Sequence, residues 1–160
     1  MKINQAVKTG LSFGFISAII TTLGLMVGIY ATTHSPAVII SAVLVIAVAD
    51  ALSDSLGIHV SVESDKKKTS KQIWQATGAT FAAKFLIAAT FVIPIFFLSL
   101  DLSILISIVW GLFLITVYSY YLAKQNKRTA WKVILEHVGI TIAVIALTDL
   151  IGNKIENINF

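Results

Sequence analysis

Two carboxylates stand inside an apolar run: in Ile46 to Glu63, IAVADALSDSLGIHVSVE, Asp50 and Asp54 are four residues apart. On a helix that spacing puts both on one face, with Ser53, Gly57 and Ser61 close beside them. Acidic side chains at membrane depth need a partner, a wet cavity or a cation, and they mark ion paths and proton relays. Carboxylates with hydroxyl oxygens nearby are ligands for a hard divalent cation. Ser17 and Thr21 in the first apolar run add such oxygens if the first two helices lie side by side. Asp50, Asp54, Ser17, Thr21 and Ser53 therefore form the candidate ion pathway. A second group is His59 and Glu63, again four apart, with Glu136 and His137 at the start of the last run. Their mixed nitrogen and oxygen donors could hold a divalent metal. The plainer alternative is that all four are interfacial residues touching water and lysines, and Asp149 is read the same way.

These side chains must be positioned by helices in lipid. Of the 160 residues, 57% are hydrophobic and 12% charged, a balance that excludes a small water-soluble domain. Apolar runs cover about 10–31, 36–58, 74–100, 103–122 and 133–151, each near the ~20 residues that cross a bilayer as a helix. Strands of a barrel would alternate apolar and polar residues, and these runs do not. The expectation is one all-α, polytopic membrane domain of five transmembrane helices over residues 1–160. In the third span Trp74 is expected at the interface, Lys84 snorkelling to the headgroups and Pro94 at a kink.

Depth sharpens the question about the aspartates. If the second helix begins near Ala37, Asp50 lies ~20 Å along it and Asp54 ~26 Å, inside a ~30 Å hydrocarbon core. Two such acids oppose insertion by ~5–7 kcal/mol, while the eleven Val, Ile and Leu residues between Pro36 and Ile58 return ~3–7 kcal/mol. Alone, this helix is close to break-even, so something must meet the charges.

Eleven basic residues, from Lys2 and Lys8 through Lys66, Lys67, Lys68, Lys71 and Lys84 to Lys124, Lys127, Arg128 and Lys132, fall on one side, against Lys154 on the other. The amino terminus is then cytosolic and the carboxyl terminus outside. The net charge of +4 serves topology, and no nucleic-acid partner need be invoked. A signal peptide is disfavoured, because the first apolar run is long and Tyr30–His34 lacks a small-x-small cleavage site. Cysteine is absent, so no disulfide, thiolate metal site or nucleophilic cysteine exists. No His-Glu-x-x-His, Gly-x-Ser-x-Gly or phosphate-binding glycine loop is present, and an enzyme is not expected; nor is a resident cofactor.

In the first run Gly10, Gly14, Ser17, Thr21, Gly24 and Gly28 step by four, three, four, three and four, a seam of small residues that lets helices approach closely. Gly10, Gly14, Gly24, Gly28 and Gly57 are the expected packing positions, against another helix or a symmetry mate.

The order of these features resembles the vacuolar iron transporter family. Three stretches carry it: GFISAIITTLGLMVG at Gly14–Gly28, ADALSDSLGIHVS at Ala49–Ser61, and LTDLIG at Leu147–Gly152. The resemblance implies five helices, a cytosolic amino terminus, a homodimer in lipid, and export of Fe²⁺ or Mn²⁺ from the cytosol against protons, between the first two helices of both subunits. The expected location is the plasma membrane of a prokaryote. Ser17 stands where the family has its membrane aspartate, Asp54 where it has methionine, and Ile58 where it has glutamate, and the chain lacks the glutamate-rich cytosolic insertion some members carry. Carboxylates on the second helix could replace the missing acid, giving a harder, all-oxygen site. The competing expectation is a non-transporting protein in which the aspartates and the glycine seam serve helix association or partner binding.

Overall fold

The structure, a computed structural model, describes residues 4–158. Lys2, counted among the amino-terminal charges, lies outside the described residues. Among the described residues six helices follow one another: α1 (Gln5–Thr33), α2 (Pro36–Glu63), α3 (Ser70–Thr90), α4 (Ile93–Phe97), α5 (Leu100–Gln125) and α6 (Ala130–Glu156). With α3 and α4 taken together as Ser70–Phe97, five segments among the described residues are long and apolar enough to cross a membrane. This is the all-α, five-span architecture the composition requires, and each helix runs several residues past its apolar core.

Local chemistry sets the ends. Asn4 accepts the Ala6 amide at 3.2 Å to start α1, and Pro36 opens α2, where its missing N–H is not needed. Thr69 and Gln72 exchange side-chain to backbone bonds in a capping box that starts α3. His34 ends α1 in the left-handed region at φ 50°, its amide returning to the Tyr30 carbonyl. Pro94 breaks the third span as expected: the Phe91 and Val92 amides tighten onto Ala88 and Ala89, and α4 restarts at Ile93. The Pro94 carbonyl accepts the Leu98 amide and the Ser103 hydroxyl, both at 3.0 Å.

α1 is the hub, packed on α2, α3, α5 and α6. Its small residues make this possible, but they divide between two partners. A Cβ on Gly10 would strike the Ala76 carbonyl and one on Gly14 the Thr80 carbonyl at 2.7 Å, so the cytosolic half of the seam seats α3. A Cβ on Gly24 would meet Val144 at 2.8 Å and one on Gly28 the Thr148 carbonyl at 3.3 Å, so the other half seats α6, where a Cβ on Gly152 would strike the Gly28 carbonyl. Gly57 differs from the sequence expectation: it is exposed and nothing lies within 4 Å of where its Cβ would be. It sits on the outer flank of α2, away from the stripe Ile39, Val43, Ala47, Ala51, Ser55 and Ile58 that faces the bundle.

The core centres on Ile19, Leu23, Met26, Ile39, Val43 and Phe91. Large side chains such as Val45, Leu56, Phe97, Val109 and Leu135 are exposed around the bundle, as lipid contact demands.

Candidate functional site

The stripe that buries α2 passes beside Asp50 and Asp54, which precede Ala51 and Ser55 by one residue each and so lie on its edge, half-buried. α3 runs antiparallel against that edge and brings Lys84 to it. Lys84 is 2% exposed, and its Nζ stands 2.5 Å from Asp50 Oδ2 and in direct contact with Asp54 Oδ2. It also donates to Ser17 Oγ at 2.9 Å, while Ser17 donates to Asp54 Oδ2 at 2.9 Å. One ammonium, two carboxylates and one hydroxyl thus join α1, α2 and α3 well inside the length of each helix.

The expectation that Lys84 snorkels is overturned. From the start of α3 at Ser70 it is fourteen residues in, about 21 Å along the axis, too deep for a lysine stem to reach the headgroups. It is drawn inward because two acids on α2 meet it there. Ten of the eleven basic residues assigned to the cytosolic side remain available to set topology.

Asp54 and Asp50 are held differently. Asp54 accepts both a hydroxyl and the ammonium. Asp50 Oδ2 lies close to the same ammonium but makes no directed hydrogen bond, so its contact is ionic only. Beside it a narrow crevice of about 140 Å³, with no room for a water molecule, is lined by Thr21, Thr22, Ala47, Asp50, Lys84 and Ala88. Thr22 is 1% exposed and its Oγ1 has no hydrogen-bond partner. Thr21 uses its hydroxyl on the Ser17 carbonyl at 2.9 Å. Ser53 is exposed on the outer flank of α2, and no hydrogen bond joins it to either aspartate, so it falls outside the centre.

Two grooves flank the centre along α1. One of about 490 Å³, lined by Gln5, Lys8, Thr9, Ser12 and Ser17 together with the apolar Phe13, Ile16 and Leu122, and by Gln125 and Asn126 of α5 and its end, leads from the amino-terminal end of α1 to Ser17. An apolar one of about 590 Å³, between α2 and α6, starts at Ile20 and Thr21 and follows Gly24, Gly28 and Thr32 to the other end. Ser17 borders the first and Thr21, one helical turn on, borders the second, while Asp50, Asp54 and Lys84 line neither.

The mixed metal site is not assembled. His59 Nδ1 pairs with Thr77 Oγ1 at 3.0 Å, and its ring stands edge-on to Trp74. His137 Nδ1 pairs with Ser119 Oγ at 2.8 Å on the other side of the bundle, between α5 and α6, and Glu63 and Glu136 are exposed. Among the described residues no three His, Asp or Glu side chains gather as metal ligands. The separation follows from packing: α2 pairs with α3, and α6 with α5 and α1. Asp149 is half-buried at the far end of α6.

Two polar contacts escaped the sequence. Tyr30 donates to Asp101 at 2.8 Å, tying the end of α1 to the first turn of α5, where a carboxylate also suits the helix dipole. Tyr118 stacks on Phe15 at 4.4 Å and donates to Ser12 at 2.9 Å. Neither has a spacing signal, since each joins residues more than seventy positions apart.

Comparison with protein-family models, curated proteins and solved structures finds no match for this chain. The site must therefore be read from its own chemistry.

Proposed function

We propose that this chain carries divalent cations of the Fe²⁺ and Mn²⁺ kind out of the cytosol in exchange for protons, with Asp50 and Asp54 as the ion-binding carboxylates. The observation that supports this reading is the charge balance. Two carboxylates meet one ammonium, so the fully ionised centre holds one negative charge in excess at a depth where an unpaired charge is strongly disfavoured. Neutrality then requires either a proton or a cation. A centre that needs one or the other is suited to exchange them.

Its position adds support, because Ser17 of the centre borders one groove along α1 and Thr21, one turn further, borders the other. The available donors are carboxylate and hydroxyl oxygens without thiolate or thioether, a set that favours hard ions such as Mn²⁺ over soft ones. With the amino terminus in the cytosol, the groove that begins at Gln5 and Lys8 is the cytosolic approach. A second copy laid against the open stripe of α1 would close both grooves from lipid, which is the homodimer the family resemblance implies. In liposomes holding the purified protein, Mn²⁺ uptake is expected to acidify the side it leaves, and Asp54→Asn to abolish both signals. Uptake unchanged in that variant removes Asp54 from the mechanism.

A second reading has its own observation. Lys84 meets both carboxylates and Ser17, which suffices to tie three helices together without any transported ion. The two readings part on ligand linkage: a transported ion that binds the folded protein raises its melting temperature with concentration, and a purely structural ion pair leaves it unmoved.

A further inference from the structure

We infer that the cleft where the start of α1 meets the end of α5 binds an anionic phospholipid, with the phosphate on Lys8 and an acyl chain running inward along Leu11 and Phe15. The site is separate from the carboxylates of α2 and does not depend on the carrier reading.

The cleft measures about 240 Å³. α1 contributes Lys8, Leu11, Ser12 and Phe15 to it, the spacing of a single helical face. α5 answers with Tyr118, Tyr121 and Gln125, and Ala83 of α3 completes the lining. The two long helices run in opposite directions, since Ser12 near the start of α1 meets Tyr118 while Tyr30 near its end meets Asp101. Lys8 and Gln125 therefore fall together at one end of the cleft, and Phe15 and Tyr118 at the other. The inner end is apolar in effect: the Tyr118 hydroxyl is taken up by Ser12 at 2.9 Å, and its ring stacks on Phe15 at 4.4 Å.

The outer end is short of acceptors. Among the described residues the lysine ion pairs are those of Lys68 and Lys84, so the half-buried Lys8 ammonium has none. Gln125 Nε2 donates to the Tyr121 hydroxyl oxygen at 3.3 Å, which leaves the tyrosine O–H free to donate in turn. No carboxylate lines the cleft. A half-buried cation with a hydroxyl donor beside it and no acid to meet it selects an anion.

The surroundings decide which kind of anion. Lys8 is in the first turn of α1 and Gln125 ends α5, so the cationic end lies where helix ends meet lipid headgroups. Leu11 and Tyr121, 36% and 56% exposed, stand on the rim, on a surface that faces hydrocarbon. The volume is below the ~300–1,000 Å³ of sites that enclose a small molecule, so the occupant lies along the cleft rather than inside it. A phosphodiester with its chain meets both ends. Free phosphate meets only the outer one, and a zwitterionic lipid brings its own cation to the phosphate. Lys8 also lines the groove that leads to Ser17, so a lipid phosphate here offsets positive charge at the approach proposed for cations.

The test counts lipid retained by the full chain in native mass spectrometry and follows its thermal midpoint in detergent, with phosphatidylglycerol, phosphatidylcholine and inorganic phosphate as probes. Phosphatidylglycerol is expected to be preferred over phosphatidylcholine by about fivefold, the worth of one lysine near an anionic headgroup, and to raise the midpoint, while inorganic phosphate leaves it unmoved. Lys8→Gln is expected to erase the preference and Lys8→Arg to keep it. The basic loop at residues 66–71 is the rival anchor, and the triple variant Lys66→Gln, Lys67→Gln, Lys68→Gln is expected to keep the preference as well. Equal retention of the two lipids by the wild type overturns the inference before any variant is made. So does survival of the preference in Lys8→Gln, or its loss in Lys8→Arg or in the triple variant, either of which places the lipid elsewhere. A midpoint raised as far by inorganic phosphate as by phosphatidylglycerol would make the occupant a soluble anion and overturn it too.

Discussion

At the residue scale, Asp50 and Asp54 divide the work, and each substitution should show its share. Asp54 takes the Ser17 hydroxyl as well as the ammonium, whereas Asp50 makes only the ionic contact. Asp50→Asn leaves one carboxylate against one ammonium, a balanced pair. Its thermal midpoint in detergent is expected to stay level or rise while Mn²⁺ no longer stabilises it; a large fall would mean that the excess charge is not there. Ser17→Ala removes a hydroxyl that bridges two charged groups, and denaturant unfolding should show a loss of about 1.5–3 kcal/mol, the range for hydrogen bonds to charged partners. The acids were legible in the sequence because carboxylates in hydrocarbon are conspicuous. Lys84 looks like a snorkelling residue because it directly precedes the continuous apolar stretch that begins at Phe85. The depth that singles out Asp50 and Asp54 singles it out as well, since even from Trp74 it is ten residues, about 15 Å, into the span. Thr22 gave no signal, since threonines in transmembrane helices commonly bond their own backbone, as Thr21 does.

At the scale of elements, apolar length alone located all five spans, because lipid imposes a single period-independent requirement on every segment. Pro94 also announced its break, since a missing N–H cannot be hidden inside a helix. Which helix each small residue serves was not legible. The α1 seam reads as one face, yet the structure gives Gly10 and Gly14 to α3 and Gly24 and Gly28 to α6, a choice fixed by tertiary packing. The difference between packed and open glycines can be measured. Gly152→Ala pushes a methyl onto the Gly28 carbonyl and the Ala31 side chain and is expected to destabilise by about 1–3 kcal/mol. Gly57→Ala adds a methyl where nothing stands and should be neutral or stabilise by up to about 1 kcal/mol. Equal effects at the two positions would contradict the packing described for α1 and α6.

At the scale of the whole molecule, α1 is both the most buried helix and the one whose flank remains open between α2 and α6. That combination suits a centre served from two directions, and it leaves a stripe that a second copy could cover. The chain has no cysteine, so Leu25→Cys on the stripe gives a single reporter. Short bifunctional thiol reagents are expected to join two chains through it in native membranes, and only monomers would argue against a dimer along α1. Orientation can be read in the same background: Lys66→Cys should react from the cytosolic side and Lys154→Cys from outside. The central claim, that the carboxylates and the ammonium form an ion site rather than a fixed strut, is tested most directly by an anomalous difference map of crystals soaked in Mn²⁺. The account predicts a metal peak between Asp50 and Asp54 with Lys84 Nζ moved off them; no peak, with the ammonium still in contact with both carboxylates, would contradict it.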